Sequence, residues 1–391
     1  MKPTAQMSTA ATPADVGYRP ERIDVLDNFL WKLIDEKQLQ CATYAMARNN
    51  SLFVCKGMGK LHYDPADDRV CGHDSLTRMA SITKMFTAVA IMKLVEDGLL
   101  EITSPLSAYL KEFDYKEYED ITLIHLLTHT SGLAFDAGED GPYSLNWWDL
   151  CTEKNAKYNW VEAILATSVV NKPGQIWAYS STGYTLMGEI IRRVTGMRAE
   201  DYIIDNIIKP LNMQDTHFGV PEEKWDRVIV TAEWGDPRTW AQQEEKERQE
   251  NAQNGRRELV VPRTSSGIYS TAYDITLFGL MLANNGVGGD ARILHRKTVE
   301  MMRRDFAYGA RDYCWGAKGN TKYYGLGPQL YGRNNTDLLS PGTYGHEGAG
   351  RSAIYIDPEE NFVAVNFVPT KEAWLPQTVL NLRNVMWSGL L

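Results

Sequence analysis

Two short apolar runs near the start of the chain and two near its end constrain the fold more than any other feature. Cys41 to Arg48 and Ser51 to Lys56 read as strands joined at Asn49-Asn50. Adjacent asparagines tolerate the positive φ angles of a tight hairpin. Ser352 to Ile356 and Phe362 to Val368 read as a second strand pair, linked through Asp357-Pro358-Glu359-Glu360-Asn361. Between the pairs the pattern is mainly helical, with helices expected at Val161–Thr167, Thr182–Thr195, Ala199–Ile208 and Thr271–Asn284. Ile23, Leu26, Leu30, Leu33 and Ile34 follow Pro20 at helical spacing, and a last helix is expected over Pro376–Leu390. The simplest packing joins both chain ends in one antiparallel sheet flanked by helices. That is an α/β fold of the α+β type with an inserted, mainly helical domain. The expected organisation is a flexible lead-in over 1–17, a sheet domain from 18–77 and 260–391, and a helical domain over 78–259. A ligand cleft belongs between the two domains.

Composition narrows the function classes. The chain has 391 residues, 43% hydrophobic and 23% charged, which is enough for a large core. A net charge of -9 argues against nucleic acid or an anionic membrane as partner. No apolar stretch is long enough to cross a bilayer. Met1 to Asp15 lacks the pattern of a signal peptide, and Cys41, Cys55, Cys71, Cys151 and Cys314 are scattered. Together these predict a cytoplasmic protein with free thiols. The seven histidines are dispersed without zinc spacing, so no metal and no cofactor are expected. The polar stretch 234–258 reads as a solvated helix or an excursion from the fold. Ala134 to Trp160 reads as a long irregular loop, and such loops in compact proteins are often functional. Its Trp147, Trp148 and Trp160 are candidates to wall a pocket, with Trp148 the one chosen as substrate-binding.

The chemistry concentrates in three places. Arg78-Met79-Ala80-Ser81-Ile82-Thr83-Lys84 leads into an apolar helical pattern of Met85, Phe86, Val89, Met92 and Val95. Residues three apart share a helix face, so the Lys84 amine can hang over the Ser81 hydroxyl. A serine needs a base to become a nucleophile, and a desolvated amine is one. The helix start adds backbone N–H groups suited to an oxyanion. Tyr179-Ser180-Ser181 stands just before a helix, where a phenol can project into a cleft. An ammonium at Lys84 stabilises a phenolate, which makes Tyr179 the expected general base. Tyr344-Gly345-His346-Glu347-Gly348-Ala349-Gly350 is a glycine-rich segment just before the strand Ser352–Ile356. Its backbone admits close approach of a substrate and offers a second oxyanion donor. His346 there is expected to hydrogen-bond Tyr179 or substrate.

In order and spacing, these three elements resemble the serine β-lactamase and penicillin-binding-protein superfamily, whose motifs include Ser-x-x-Lys. The chain looks most like the class C branch, with its D-aminopeptidases, DD-peptidase-like proteins and family VIII carboxylesterases. Supporting segments are His125-Leu126-Leu127-Thr128-His129-Thr130-Ser131-Gly132-Leu133, Ser266-Gly267-Ile268-Tyr269-Ser270-Thr271 and Tyr324-Gly325-Leu326-Gly327. The resemblance runs from about residue 20 to 368. It implies a β-lactamase/transpeptidase-like fold, Ser81 as the acylated nucleophile, Lys84 sharing its proton and Tyr179 as base and acid. It implies a catalytic His346 and an oxyanion hole from the backbone N–H groups of Ser81 and Ala349. Ser181, Glu347 and Gly348 take the substrate-binding positions.

Two departures shape the functional expectation. Ser181 stands where many relatives carry Asn, so a carboxamide contact to an amide substrate is lost. His346-Glu347-Gly348 stands where penicillinases carry Lys-Thr-Gly or Lys-Ser-Gly, which weakens attraction to a substrate carboxylate. Hydrolysis of small esters is therefore the first expectation. A D-amino-acid amidase or D-aminopeptidase, or a weak β-lactamase or DD-peptidase, is the alternative on the same fold. A non-catalytic acyl-binding protein is the alternative of another class. The sequence leaves the oligomeric state open.

Overall fold

The computed structural model describes residues 5–6, 9–62, 67–133, 136, 159–165, 169, 171–231, 240–256, 261–314, 317–332, 336–349, 352–369 and 376–391. Its centre is one antiparallel sheet of seven strands. In chain order these are β1 (Ala5–Gln6), β2 (Cys41–Arg48), β3 (Ser51–Gly59), β4 (Gln329–Leu330), β5 (Tyr344–Gly348), β6 (Ser352–Asp357) and β7 (Phe362–Phe367). They lie in the order β1-β3-β2-β7-β6-β5-β4. The two chain ends meet where β2 pairs with β7, from Phe362 opposite Arg48 to Phe367 opposite Thr43. The sheet expected from the two strand pairs is thus the sheet observed. Asn49 and Asn50 carry φ angles of 51° and 64°, the left-handed pair that a two-residue hairpin needs.

Side-chain alternation divides the sheet's two faces. Ile354, Ile356, Val363 and Val365 belong to one buried cluster, while Ala353, Tyr355, Phe362 and Ala364 belong to the other. Both faces are covered, which is why these strands read as nearly continuous apolar runs. On one side lie helices α1 (Glu21–Asp35) and α6 (Leu380–Trp387), which bring Leu26, Leu30, Leu33, Leu382 and Met386. On the other lie α2 (Thr83–Glu96), α3 (Ser181–Thr195) and α5 (Ala272–Ala283). Gly279 lets α5 seat directly on the sheet, because a Cβ there would sit 2.6 Å from Val363 Cγ1.

One expectation, the solvated polar stretch, changes here. Tyr344–Gly348 is a strand and pairs with β6 over its whole length. On its other side β4 covers only Tyr344 and Gly345, so the pairing edge stops short of His346. The polar stretch contains helix α4 (Trp240–Gly255), and it is docked. Gln243 and Glu247 are buried. Gln243 bonds His62 at 3.0 Å, and Glu247 accepts from the Tyr269 hydroxyl at 2.8 Å and pairs with Arg78 at 3.0 Å. A four-residue spacing puts both side chains on one helix face. That face reaches the Thr77–Arg78 strand just ahead of Ser81, which itself pairs with Tyr269–Ser270.

Candidate active site

Ser81 lies in a short 3-10 turn, Ala80–Ile82, that runs into α2. Ala80, immediately before it, has φ 44°, a strained value for a residue with a Cβ. The surroundings hold that turn in place. The Met79 N–H donates to the Ile268 carbonyl at 2.8 Å, and the Ser352 hydroxyl donates to the Met79 carbonyl at 2.9 Å. Gly348 at the end of β5 backs onto the same turn, where a Cβ would stand 2.4 Å from the Met79 oxygen and 3.2 Å from Ala80 Cβ. The third motif is therefore pressed against the first. Ala349 follows Gly348 and is exposed.

Lys84 is fully buried, one helical turn beyond Ser81. Its Nζ donates to Ser81 Oγ at 3.2 Å, to Ser181 Oγ at 3.2 Å and to the Ser265 carbonyl at 3.0 Å. Burial disfavours the ammonium and lowers its pKa to about 8, with the Asp136 carboxylate pulling the other way. Tyr179 is buried beside it, and Nζ lies 4.8 Å from the phenol ring centre. Burial pushes the Tyr179 hydroxyl well above its ordinary value; the neighbouring Ser81 hydroxyl opposes this, and the Asp136 charge adds to it. The expectation of a phenolate stabilised by Lys84 is thus corrected. Desolvation is the largest influence on the phenol, and the amine is the group brought close to neutral pH.

His346 is buried and its pKa falls to about 3, first through burial and then through the charge of Lys84. Nδ1 bonds the Glu347 carbonyl at 2.7 Å, and a carbonyl only accepts, so the ring proton sits on Nδ1. Nε2 is then an acceptor, and the Tyr324 hydroxyl donates to it at 3.0 Å. The neutral imidazole is occupied by Tyr324, and its ring centre is 6.2 Å from that of Tyr179. The expected bond from His346 to Tyr179 is replaced by this one.

Glu347 points to the opposite face of the sheet, because neighbouring residues of a strand alternate. The Tyr355 hydroxyl donates to its Oε1 at 2.6 Å, and Arg383 of α6 forms an ion pair with it. Its assignment as a substrate-binding residue is corrected accordingly. Trp148 lies outside the described residues, and Trp160 belongs to the core.

Four residues join the site that motif reading did not assign to it. Asp136 accepts from the Ser181 N–H at 2.8 Å and from the Ser181 hydroxyl at 2.7 Å. Its own N–H donates to the Tyr179 carbonyl at 2.7 Å. The Ser265 carbonyl holds Lys84, and Tyr324 holds His346. His129, at φ 59°, lays its ring 4.3 Å from the Tyr179 ring centre and accepts from the Ser180 N–H at 3.0 Å. His129, Ser265 and Tyr324 all lie in or beside segments quoted for the family resemblance. Asp136 carried no signal beyond its place in the long loop. Among the described residues no group of His, Cys, Asp or Glu is arranged to hold a metal, and no helix is long and apolar enough to cross a membrane.

The sequence profile described as Beta-lactamase matches residues 26–373. The chain belongs to the Beta-lactamase family. Protein flp of Staphylococcus aureus strain MW2 is 31% identical over 198 residues, covering 49% of this chain and 38% of that protein. The match thus spans less than half of that relative's length. The fold matches a penicillin-binding protein homologue from Caulobacter crescentus at a TM-score of 0.73 with 20% identity, over 98% of this chain and 100% of the other. It matches a family VIII carboxylesterase at a TM-score of 0.71 with 18% identity, again over 98% and 100%. The resemblance read from the three motifs is therefore the family the chain belongs to, and its fold is the β-lactamase/transpeptidase-like one. This is a family of serine hydrolases that includes carboxylesterases and DD-carboxypeptidase-like proteins.

Proposed function

We propose that this protein hydrolyses small esters through an acyl-enzyme on Ser81, with Lys84 as the base. The observation that carries the reading is the contact between a desolvated Lys84 amine and the Ser81 hydroxyl. As Ser81 Oγ attacks the ester carbonyl, Lys84 takes the hydroxyl proton and the carbonyl electrons become an oxyanion. The backbone N–H groups of Ser81 and Ala349 receive that oxyanion, an assignment supported by the packing of Gly348 on the Ser81 turn. Tyr179 gives its proton to the departing alkoxide, and the Lys84 ammonium reprotonates the phenolate. Water then attacks the acyl-enzyme with the same groups in reverse, releasing acid and restoring Ser81.

Esters are favoured by what surrounds the third motif. His346 is neutral and bonded to Tyr324, so it supplies no cation for a substrate carboxylate. Glu347 pairs with Arg383 behind the sheet, so it offers the cleft no anion that would attract the free amino group of a D-amino-acid amide. The fold likeness to a family VIII carboxylesterase supports the same choice. The free, buried Cys41, Cys55, Cys71 and Cys314 suit a reducing, cytoplasmic setting. Turnover of p-nitrophenyl acetate and butyrate, measured beside D-alanine amide, tests the reading. Ester hydrolysis well above amide hydrolysis is expected; amide cleavage without ester turnover contradicts it.

A further inference from the structure

We propose that Asp136 is a positioning residue that, through the Ser181 hydroxyl, turns the lone pair of neutral Lys84 toward Ser81. A carboxylate only accepts, so with Ser181 Oγ 2.7 Å from Asp136 Oδ2 the hydroxyl proton is committed to Asp136. The Ser181 N–H, 2.8 Å from Oδ1, makes the grip bidentate. Ser181 Oγ can then only accept from Lys84 Nζ, at 3.2 Å. The Ser265 carbonyl, at 3.0 Å, is likewise only an acceptor. A neutral amine has two N–H bonds and one lone pair. The two fixed acceptors take the two N–H bonds, and the lone pair is left for the third neighbour, Ser81 Oγ at 3.2 Å. Without Asp136 the Ser181 hydroxyl is free to donate to that lone pair and to compete with Ser81.

The inference rests on the reading of Ser81 and Lys84 given above, and extends it to a residue pair that replaces the carboxamide of relatives. The groups facing Lys84 are Asp136 from the loop, Tyr179, Tyr184 at 5.6 Å from ring centre to Nζ, and the His129 and His346 rings. Burial keeps both imidazoles uncharged at neutral pH and pushes both phenols up. Asp136 is the anion among them, and its charge raises the Lys84 pKa.

The test is the pH profile of kcat/KM for p-nitrophenyl butyrate in wild type, D136N, S181A and the double variant D136N/S181N. D136N is expected to lower the plateau roughly tenfold, part of the ~10²–10⁴-fold that a positioned base supplies. It is also expected to move the acid limb to lower pH, because the anion beside Lys84 is gone. A merely structural loss would not move that limb. S181A keeps the charge and removes the acceptor, so its plateau falls while its limb does not move down. D136N/S181N offers Lys84 a carboxamide oxygen and is expected to recover activity over D136N. Should D136N not fold, S181A carries the test alone, and a wild-type plateau in it overturns the inference. So does D136N with unchanged plateau and limb. S81A that still turns over the ester would instead overturn the reading on which the inference rests.

Discussion

Lys84 Nζ lies 3.2 Å from Ser81 Oγ in a pocket closed to water on the lysine side. Burial lowers the amine's pKa to about 8, so it is the neutral form, above that pH, that can take a proton. Ester hydrolysis is therefore expected to rise with pH through a limb near 8 and to lose it on the acid side. Lys84→Met should lower kcat/KM by about 10²–10⁴-fold while leaving the circular dichroism spectrum unchanged. Initial rates between neutral and alkaline pH check both.

His346 accepts from the Tyr324 hydroxyl inside a region that excludes solvent. Tyr324→Phe leaves the buried Nε2 without its donor, a loss of about 1–3 kcal/mol. Denaturant unfolding of the variant should show that loss. With a pKa near 3, His346 should also stay neutral with its proton on Nδ1 from weakly acidic to alkaline pH. Nitrogen NMR of the imidazole reads this directly.

The ion pair of Glu347 and Arg383 lies on the far face of the sheet from His346. Arg383 also holds the buried Asp337 carboxylate at 2.9 Å, so Arg383→Met strands it together with the half-buried Glu347 and should destabilise the fold by about 3–5 kcal/mol. Glu347→Gln should leave the preference between ester and amino-bearing amide substrates unchanged. A shift in that preference would return Glu347 to the cleft.

Gly348 is the place where β5 touches the Ser81 turn, and a methyl group there would meet the Met79 oxygen at 2.4 Å. Gly348→Ala should displace Ser81 and lower kcat about a hundredfold, as misplacement by roughly 1 Å does. The thermal midpoint should change far less than the rate.

The parts of this structure that were legible in the sequence are those governed by local chemistry. Asn49 and Asn50 announce a hairpin because few residues accept φ angles of 51° and 64°. The runs that became β2, β6 and β7 announce strands because both sheet faces are buried. Tyr344–Gly348 is not announced as a strand by its own residues, because its glycines have little strand propensity; its partner β6 makes it one. Once it is a strand, parity alone sends Glu347 away from His346. Ser81, Lys84 and Tyr179 were found by motif, but the protonation order was not, since it depends on how fully each is desolvated. Asp136 reaches Ser181 across 45 residues of chain, and no spacing rule predicts such a contact. The buried face of α4 did have a trace in the four-residue interval between Gln243 and Glu247, outweighed by the polarity of the rest.

The central claim is that Ser81 is the nucleophile and Lys84 its base. Intact-mass measurement after mixing the protein with a fluorophosphonate tests it most directly. One adduct is expected on the wild-type protein, none on Ser81→Ala, and a much slower gain on Lys84→Met. Equal labelling of the wild-type and Ser81→Ala proteins would contradict the account.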